Sequence, residues 1–304
     1  MILLQAAFVT NRKTPDLSDD DRLVLDPLRR IGVEVTAVPW DTQNAGWRRF
    51  DAIILRSCWD YHKRIEEFSA WIDEREREDR TAVRNPPAAI RWNKDKSYLQ
   101  EIQAAGVPVV PTLFLRRGSS ASLPRLLDQQ AWSHAVVKPS ISASAFRTWM
   151  TTSATASDQQ ADLDSLLARS GVMIQEYFPE IETAGEWSLI FLDGKHSHTV
   201  RKRPRAGDFR VQEELGGTVQ PANPSRSLVD QAGRVFAAAP ELAPLLYARV
   251  DGLVREGIFF LMELELIEPS LFLGFNPGAP ARFAAAIRRT IDNAKGSLDG
   301  GDRG

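Results

Sequence analysis

A single cysteine, Cys58, occurs in 304 residues. That excludes an internal disulfide and a cysteine-based zinc cluster, and it fits a reducing compartment, so a cytoplasmic location is expected. No run approaches the roughly 18 apolar residues of a membrane span, so no membrane association is expected. The opening MILLQAAFVTNRK has no basic stretch ahead of its apolar residues and reads as a first strand rather than a signal peptide. Neither sign of charge dominates. The 38 Lys and Arg against 40 Asp and Glu leave a net −2, without the basic footprint of a nucleic-acid binder. The motifs G-x-G-x-x-G, G-x-x-x-x-G-K-[ST] and G-x-S-x-G are all missing. Their absence counts against a dinucleotide oxidoreductase, a P-loop NTPase and an α/β-hydrolase. Lysine is also scarce, with 8 against 30 arginines, so each lysine at a strand end stands out.

The apolar content, 43%, is enough for a sizeable core. Apolar runs at 2–9, 33–38 and 50–55 alternate with helical spacing at 19–30 and 65–77, the pattern of an open parallel sheet. The prolines of Arg84-Asn-Pro-Pro-Ala88 mark a first domain boundary. Beyond it the spacing predicts a helix over 93–105, strands over 107–115, 135–138 and 173–178, and a hairpin of 187–192 with 196–203 through Asp193-Gly194. A second strand pair, 247–253 with 258–266, precedes a terminal helix over 279–294. The fold class is thus α/β followed by α+β. The expected domains are 1–88, 89–178 and 179–294, with 295–304 a frayed tail.

Chemistry concentrates in a few places. Lys138 ends an apolar strand and precedes Pro139 and the small-residue loop Ser140–Ser144. A lysine there suits a phosphate as a point charge, or simply snorkels. Glu263 and Glu265 share a strand face in the apolar stretch FFLMELELIEPSLFL. Two like charges on a core strand need a cation between them, and Mg²⁺ with its preference for oxygen ligands suits them, the alternative being a face that meets solvent or arginines. Asp251 on the preceding strand reaches the same place, and Arg249 on its face could bind an anion beside the metal. The run Arg201-Lys202-Arg203-Pro-Arg205, with Arg210 after it, fits neutralisation of phosphate charge inside a cleft. His196 and His198 share a strand face and would be the start of a zinc site, although two histidines alone are more often structural.

These pieces, in this order over residues 2–270, resemble the ATP-grasp superfamily of ADP-forming ligases, to which glutathione synthetase and D-alanine–D-alanine ligase belong. Asn93-Lys-Asp-Lys96 with AAGVPVVPT is similar to the opening of the central domain, and Val137-Lys138-Pro139 to the segment of the second ATP lysine. Gln175-Glu-Tyr-Phe178 resembles the hinge strand that holds adenine. The ARVD…MELELIEPS segment resembles the metal segment. The resemblance implies an ATP-grasp fold, with an N-terminal open parallel sheet and two α+β subdomains gripping ATP. It implies ATP contacts from Lys96, Lys138, Glu176, Tyr177, Phe178 and, at the ribose, Glu186. Two Mg²⁺, for which Mn²⁺ could substitute, would sit on Asp251, Glu263 and Glu265. Arg210 would meet the terminal phosphate, Arg249 would stabilise an acyl phosphate, and Lys202 would join them as a catalytic cation.

The segment RSCWDYH further resembles the branch that includes the O-ureido-serine cyclo-ligase of cycloserine biosynthesis. Two features depart from the family pattern: the flexible loop is Ser/Ala-rich rather than Gly-rich, and Glu265 stands where Asn is frequent. The implied activity is carboxylate–amine ligation through an acyl phosphate on a small amino-acid-like substrate. The amine would come from a second molecule or from the same one. Arg56, Asp60 and His62 are the candidates for substrate recognition, or equally for packing of the N-terminal domain. A non-catalytic nucleotide-binding protein and a zinc hydrolase are the competing readings. The assembly state is open, a homodimer being the commonest.

Overall fold

The computed structural model describes residues 3–78, 83–239 and 244–300. The first layer is the parallel sheet the alternating pattern predicts. It comprises β1 (Leu4–Thr10), α1 (Asp19–Arg22), α2 (Leu25–Arg30), β2 (Val33–Pro39), β3 (Ala52–Leu55), α3 (Ile65–Arg77) and β4 (Val83–Arg84). The strand order is β2-β1-β3-β4, and every pairing is parallel. The helix expected over 19–30 is split at Leu23–Val24. Pro27 has no amide to donate, and its ring would clash with the carbonyl of Leu23 four residues earlier. The short β4 lies inside the proline-bounded break and carries no sequence signal of its own.

The second layer follows α4 (Pro87–Asn93) and α5 (Tyr98–Ala104). The helix expected over 93–105 is confined to α5, after a non-helical stretch from Lys94 to Ser97, and α4 ahead of it was not expected. Then come β5 (Thr112–Leu115), α6 (Leu123–Gln130), β6 (His134–Pro139), β7 (Trp149–Thr152), α7 (Gln160–Leu167) and β8 (Val172–Glu176). They form an antiparallel sheet in the order β5-β8-β6-β7. Pro108 and Pro111 cannot donate to a ladder, which confines the strand expected over 107–115 to its last four residues.

The third layer holds α8 (Glu180–Thr183), β9 (Glu186–Leu192), β10 (Lys195–Arg203), β11 (Thr218–Ala222), α9 (Arg226–Ala238), β12 (Tyr247–Arg255), β13 (Ile258–Glu265) and α10 (Ala279–Gly300). The antiparallel order is β11-β10-β9-β12-β13. Both expected hairpins form, and their two-residue turns are left-handed at both positions. Asp193 and Gly194 have φ 52° and 70°, and Glu256 and Gly257 have φ 53° and 79°, as the right-handed twist of the flanking strands requires. The terminal helix continues past 294 to Gly300, so 295–300 is helical rather than frayed. Residues 301–304 lie outside the described residues.

One core joins the first and third layers. Phe8, Leu28 and Ile54 pack with Ile190, Val200, Phe283 and Ile287. Asn85, fully buried, stitches the junction. Its amide donates to the carbonyls of Tyr247 and Leu266, both at 2.8 Å, and its Oδ1 accepts from Leu246 N–H at 2.7 Å. On this layout we propose domain divisions near residues 88 and 178, each falling between one sheet and the next.

Candidate active site

A cavity of about 530 Å³ lies between the second and third sheets, with Trp59 and Tyr61 of the first layer at one end. The ladder between β12 and β13 builds its floor. Asp251 stands opposite Glu263, and Arg249 opposite Glu265. A bulge follows Asp251, and at Gly252 an added Cβ would lie 2.4 Å from both the Phe259 ring and the Phe260 carbonyl. The close approach explains a glycine inside a strand. It leaves Met262 as the extra residue, and Met262 lines the cavity.

The outer edge of β13 is bridged by backbone at Leu261, which bonds Pro108 and Val110, and beyond it is held by side chains. Asn93 bonds both the carbonyl of Leu264 (2.7 Å) and the amide of Leu266 (2.9 Å). The Tyr98 hydroxyl both donates to and accepts from the Leu264 backbone, at 2.8 Å each. These clamps fix the register that aims the carboxylates.

Cations thread between the acids. The Arg249 guanidinium contacts both oxygens of Asp251 at 3.0 Å, makes a close ion pair with Glu265 and donates to the Ser270 carbonyl at 3.1 Å. Lys202 Nζ lies 2.5 Å from Glu186 and 3.4 Å from Asp251. Lys96 Nζ lies 3.2 Å from Glu263 and donates to the Ser142 carbonyl at 2.6 Å. Lys138, across the cavity on β6, donates to the Gln175 side chain at 3.2 Å. Strand alternation splits the basic run: Lys202 points inward, whereas Arg201 lies flat over the Trp187 ring, 3.9 Å from its centroid. Arg210 lines the cavity and forks onto Asp208 at 3.0 and 2.9 Å.

Burial and neighbouring charge set the electrostatics. Burial would raise the Asp251 carboxyl, but Arg249 and Lys202 overcome it and hold it down at about 2. Glu265 is pushed up to about 7 by burial, in spite of Arg249. Glu268 is pushed up to about 8 by burial, with Glu265 adding to it. Burial lowers the Lys138 ammonium. Burial, more than neighbouring charge, thus disfavours ionisation of Glu265 and Glu268.

The loop after Lys138 has no glycine, yet Ser144, Ala145 and Arg147 all take φ near +50°. Left-handed backbone at non-glycine residues costs on the order of 1–3 kcal/mol each and recurs at ligand clamps. At its tip Phe146 is exposed and its ring lies 5.3 Å from that of His62.

The hinge residues line the same cavity. The Glu176 amide donates to the Pro111 carbonyl at 2.8 Å and the Tyr177 amide to the His134 carbonyl at 3.1 Å. Pro111 has no amide to return, so the Glu176 carbonyl lacks its reciprocal ladder bond. Phe178 is buried beneath Arg255, 3.3 Å from ring centroid to guanidinium carbon. Glu186 lines the same cavity with its carboxylate on Lys202.

The three expected substrate contacts are not brought there. Arg56 is 2% exposed. Its Nε pairs with Asp21 at 2.7 Å, its Nη2 donates to the Pro269 carbonyl at 2.9 Å, and Tyr247 and Phe283 flank it. It ties layers together and cannot reach a ligand. The Asp60 carboxylate accepts from the Trp40 indole at 3.0 Å. His62 faces Phe146, with burial lowering its imidazole to about 4. The cavity is lined instead by their neighbours Trp59 and Tyr61. The zinc reading also lacks a ligand set. His198 Nε2 is engaged by the carbonyls of Leu271 and Phe272, His196 bonds Thr199, and no metal-ligating group of three or more His, Cys, Asp or Glu is assembled among the described residues. Among those residues, no helix is long and apolar enough to cross a membrane.

Sequence spacing missed several cavity residues. Asn93, Gln175 and Glu268 stand in segments the sequence singles out but were given no role there, and Met262 was not singled out; the packing of the second and third layers brings all four to the cavity. Glu268 was present in the MELELIEPS stretch, but the strand ends at Glu265, so strand alternation says nothing about where it points.

Comparison with known proteins agrees with this layout. The model of the N-terminal domain of D-cycloserine synthetase DcsG matches residues 6–85. The cycloserine biosynthesis protein DcsG of Streptomyces lavendulae is 32% identical, over 94% of this chain and 98% of that protein. The crystal structure of D-cycloserine synthetase DcsG superposes with a TM-score of 0.86 at 28% identity, covering 94% of this chain and 99% of that one. D-alanine–D-alanine ligase from Bacillus anthracis shares the fold, with a TM-score of 0.69 at 14% identity, over 97% and 99% of the two chains.

Proposed function

The chain belongs to the ATP-grasp ligases, in the branch of the cycloserine biosynthesis protein DcsG, and on that footing we propose that it closes an amide bond within an O-ureido-serine-type amino acid at the expense of ATP. As a member it is an ADP-forming carbon–nitrogen ligase. The single observation that carries the reading is convergence. Lys96 and Lys138 come from separate elements of the second layer, yet they enter the same cavity as the Arg249–Asp251–Glu263–Glu265 floor of the third.

Adenine would lie between Val136, Phe178, Leu253 and Met262, with its amino group on the unpaired Glu176 carbonyl. Lys96 and Lys138 would take the phosphates, and the Ser142–Ala145 loop would cover them. The floor carboxylates fit magnesium in kind, being all oxygen donors, but in the ligand-free protein they are engaged by Lys96, Lys202 and Arg249 and no three of them form a ready ligand set among the described residues, so the metal would arrive with the nucleotide, whose phosphate oxygens would complete its shell. Asp251, Glu263 and Glu265 would hold it, and when bound it would neutralise charge on the transferred phosphoryl group.

The chain's own residues then perform positioning and charge neutralisation, which is what phosphoryl transfer demands. A substrate carboxylate oxygen attacks the γ-phosphorus and ADP leaves, giving an acyl phosphate. Arg249 stabilises that anion, with Arg210 and Lys202 supplying further positive charge. A nitrogen of the same molecule attacks the acyl carbon and loses its proton. Phosphate departs with the original carboxylate oxygen.

The test is ADP release. O-ureido-serine with ATP and Mg²⁺ should yield ADP, phosphate and a cyclised product visible by mass spectrometry. Magnesium-ATP binding without ADP from this compound or any carboxylate–amine pair would overturn the reading.

A further inference from the structure

Glu268 has no part in the mechanism above. It lies three residues past Glu265, where the chain leaves β13 for the first layer. It is 8% exposed and lines the cavity, yet its carboxyl accepts no hydrogen bond and makes no ion pair among the described residues. Its place is fixed from behind, because its main-chain carbonyl accepts the Trp59 indole N–H at 3.2 Å. A buried carboxyl without a partner is costly to keep charged, and burial accordingly pushes this one up to about 8. A cation arriving from the cavity would relieve that cost.

The surroundings specify the kind of cation. Trp59 and Tyr61 line this end of the cavity, and aromatic faces beside a carboxylate favour an ammonium. Arg249 is close by, donating to the Ser270 carbonyl two residues beyond Glu268. The charges that act on Glu268 are those of Glu265, Lys96, Glu263 and Arg249, which puts it beside the phosphate and floor residues rather than at the hinge. An unpaired acid next to a guanidinium matches the paired charges of an α-amino acid, whose ammonium and carboxylate sit on one carbon.

We propose that Glu268 is the subsite for the substrate's α-ammonium group, and that it makes the enzyme selective for α-amino acids over their des-amino counterparts. The proposal rests on the ligase reading above and names the substrate class of the same site. Glu268 orients the substrate so that its carboxylate meets Arg249. It takes no part in the bond changes.

The experiment compares O-ureido-serine with 3-(ureidooxy)propanoate, which lacks only the α-amino group. ADP release is followed in wild type, Glu268→Gln and Glu268→Asp. Wild type should favour the amino compound in KM by roughly 30-fold, the size of one charge-assisted hydrogen bond. Glu268→Gln should collapse that ratio, and Glu268→Asp should keep part of it. Equal KM values in wild type, or a ratio unchanged in Glu268→Gln, would overturn the proposal. So would an intact ratio with a raised Mg²⁺ requirement, since the carboxyl would then serve the metal. Should wild type bind magnesium-ATP but turn over neither compound, the cyclisation reading fails instead. The subsite is then read by calorimetry with serine and 3-hydroxypropanoate in the presence of magnesium-ADP. Discrimination lost in Glu268→Gln supports the subsite, and equal heats reject it.

Discussion

Asp251 and Glu263 stand directly opposite each other across the β12–β13 ladder. Two carboxylates in that relation repel unless a cation lies near both, and each is approached by a lysine: Lys202 at 3.4 Å from Asp251 and Lys96 at 3.2 Å from Glu263. Neutralising one acid without altering its shape should therefore spare the fold and damage the chemistry. Glu263→Gln and Glu265→Gln are each expected to cut ADP release at least about 100-fold, about 2.7 kcal/mol of barrier. Melting temperature should stay within a few degrees. Wild-type turnover in both variants would refute the metal assignment.

Lys138 donates to a single side chain, Gln175, and faces the cavity. Lys138→Ala should weaken ATP binding by about tenfold or more in calorimetry, the scale of a lost charge-assisted contact. Unchanged affinity would reject its phosphate role.

Arg56 and Asp21 form a buried ion pair that does not line the cavity. Removing one partner strands the other charge, so Arg56→Ala should lose roughly 3–5 kcal/mol in urea unfolding. A variant as stable as wild type but altered in KM would restore Arg56 to the substrate site.

The raised carboxyls of Glu265 and Glu268 predict a pH dependence for the ligand-free protein. Both shift upward from an ordinary 4.5, to about 7 and about 8. Between those limits the folded state binds more protons than the unfolded one, so stability falls as pH rises through the window. Asp251 acts oppositely, and its contribution is lost only as pH drops toward about 2. Below about pH 6.5 the lowered imidazoles of His62 and His198 act the other way, so melting temperature should decline from about pH 6.5 to 8, and Glu268→Gln should flatten the slope. A slope unaffected by that substitution would contradict the placement of Glu268.

Gly252 has no room for a side chain, with the Phe260 carbonyl 2.4 Å from an added Cβ. Gly252→Ala should erase the bulge or unfold the edge strand, read as a lower denaturation midpoint together with weaker ATP binding. A variant normal in both would show that the bulge does not set the floor.

Much of the floor was legible because its determinants are local. Strand alternation places Glu263 and Glu265 on one face, and the pairs Asp193-Gly194 and Glu256-Gly257 supply the left-handed turns that fold each hairpin back. The helix over 65–77 was equally readable, since Phe68, Trp71 and Ile72 recur on one face and are buried. By contrast, α6, α7 and α9 were not foreseen. α6 and α7 have only eight residues each, too few for a clear period, whereas α9, with thirteen residues behind the Ser225 cap and Leu228, Ala232 and Val235 on one face, was readable and was missed.

The sequence alone determined the layered class, the two hairpins, the register-ready acids and the scarce lysines, because turn chemistry and side-chain period act over a few residues. Tertiary structure alone decided which charges meet a ligand. Arg56 looked like a substrate residue until Pro269, 213 positions away, and the rings of Tyr247 and Phe283 enclosed it. Glu268 looked incidental until the chain's return toward Trp59 left it buried and unpaired. Burial and partners come from contacts between distant segments, and no local spacing encodes them.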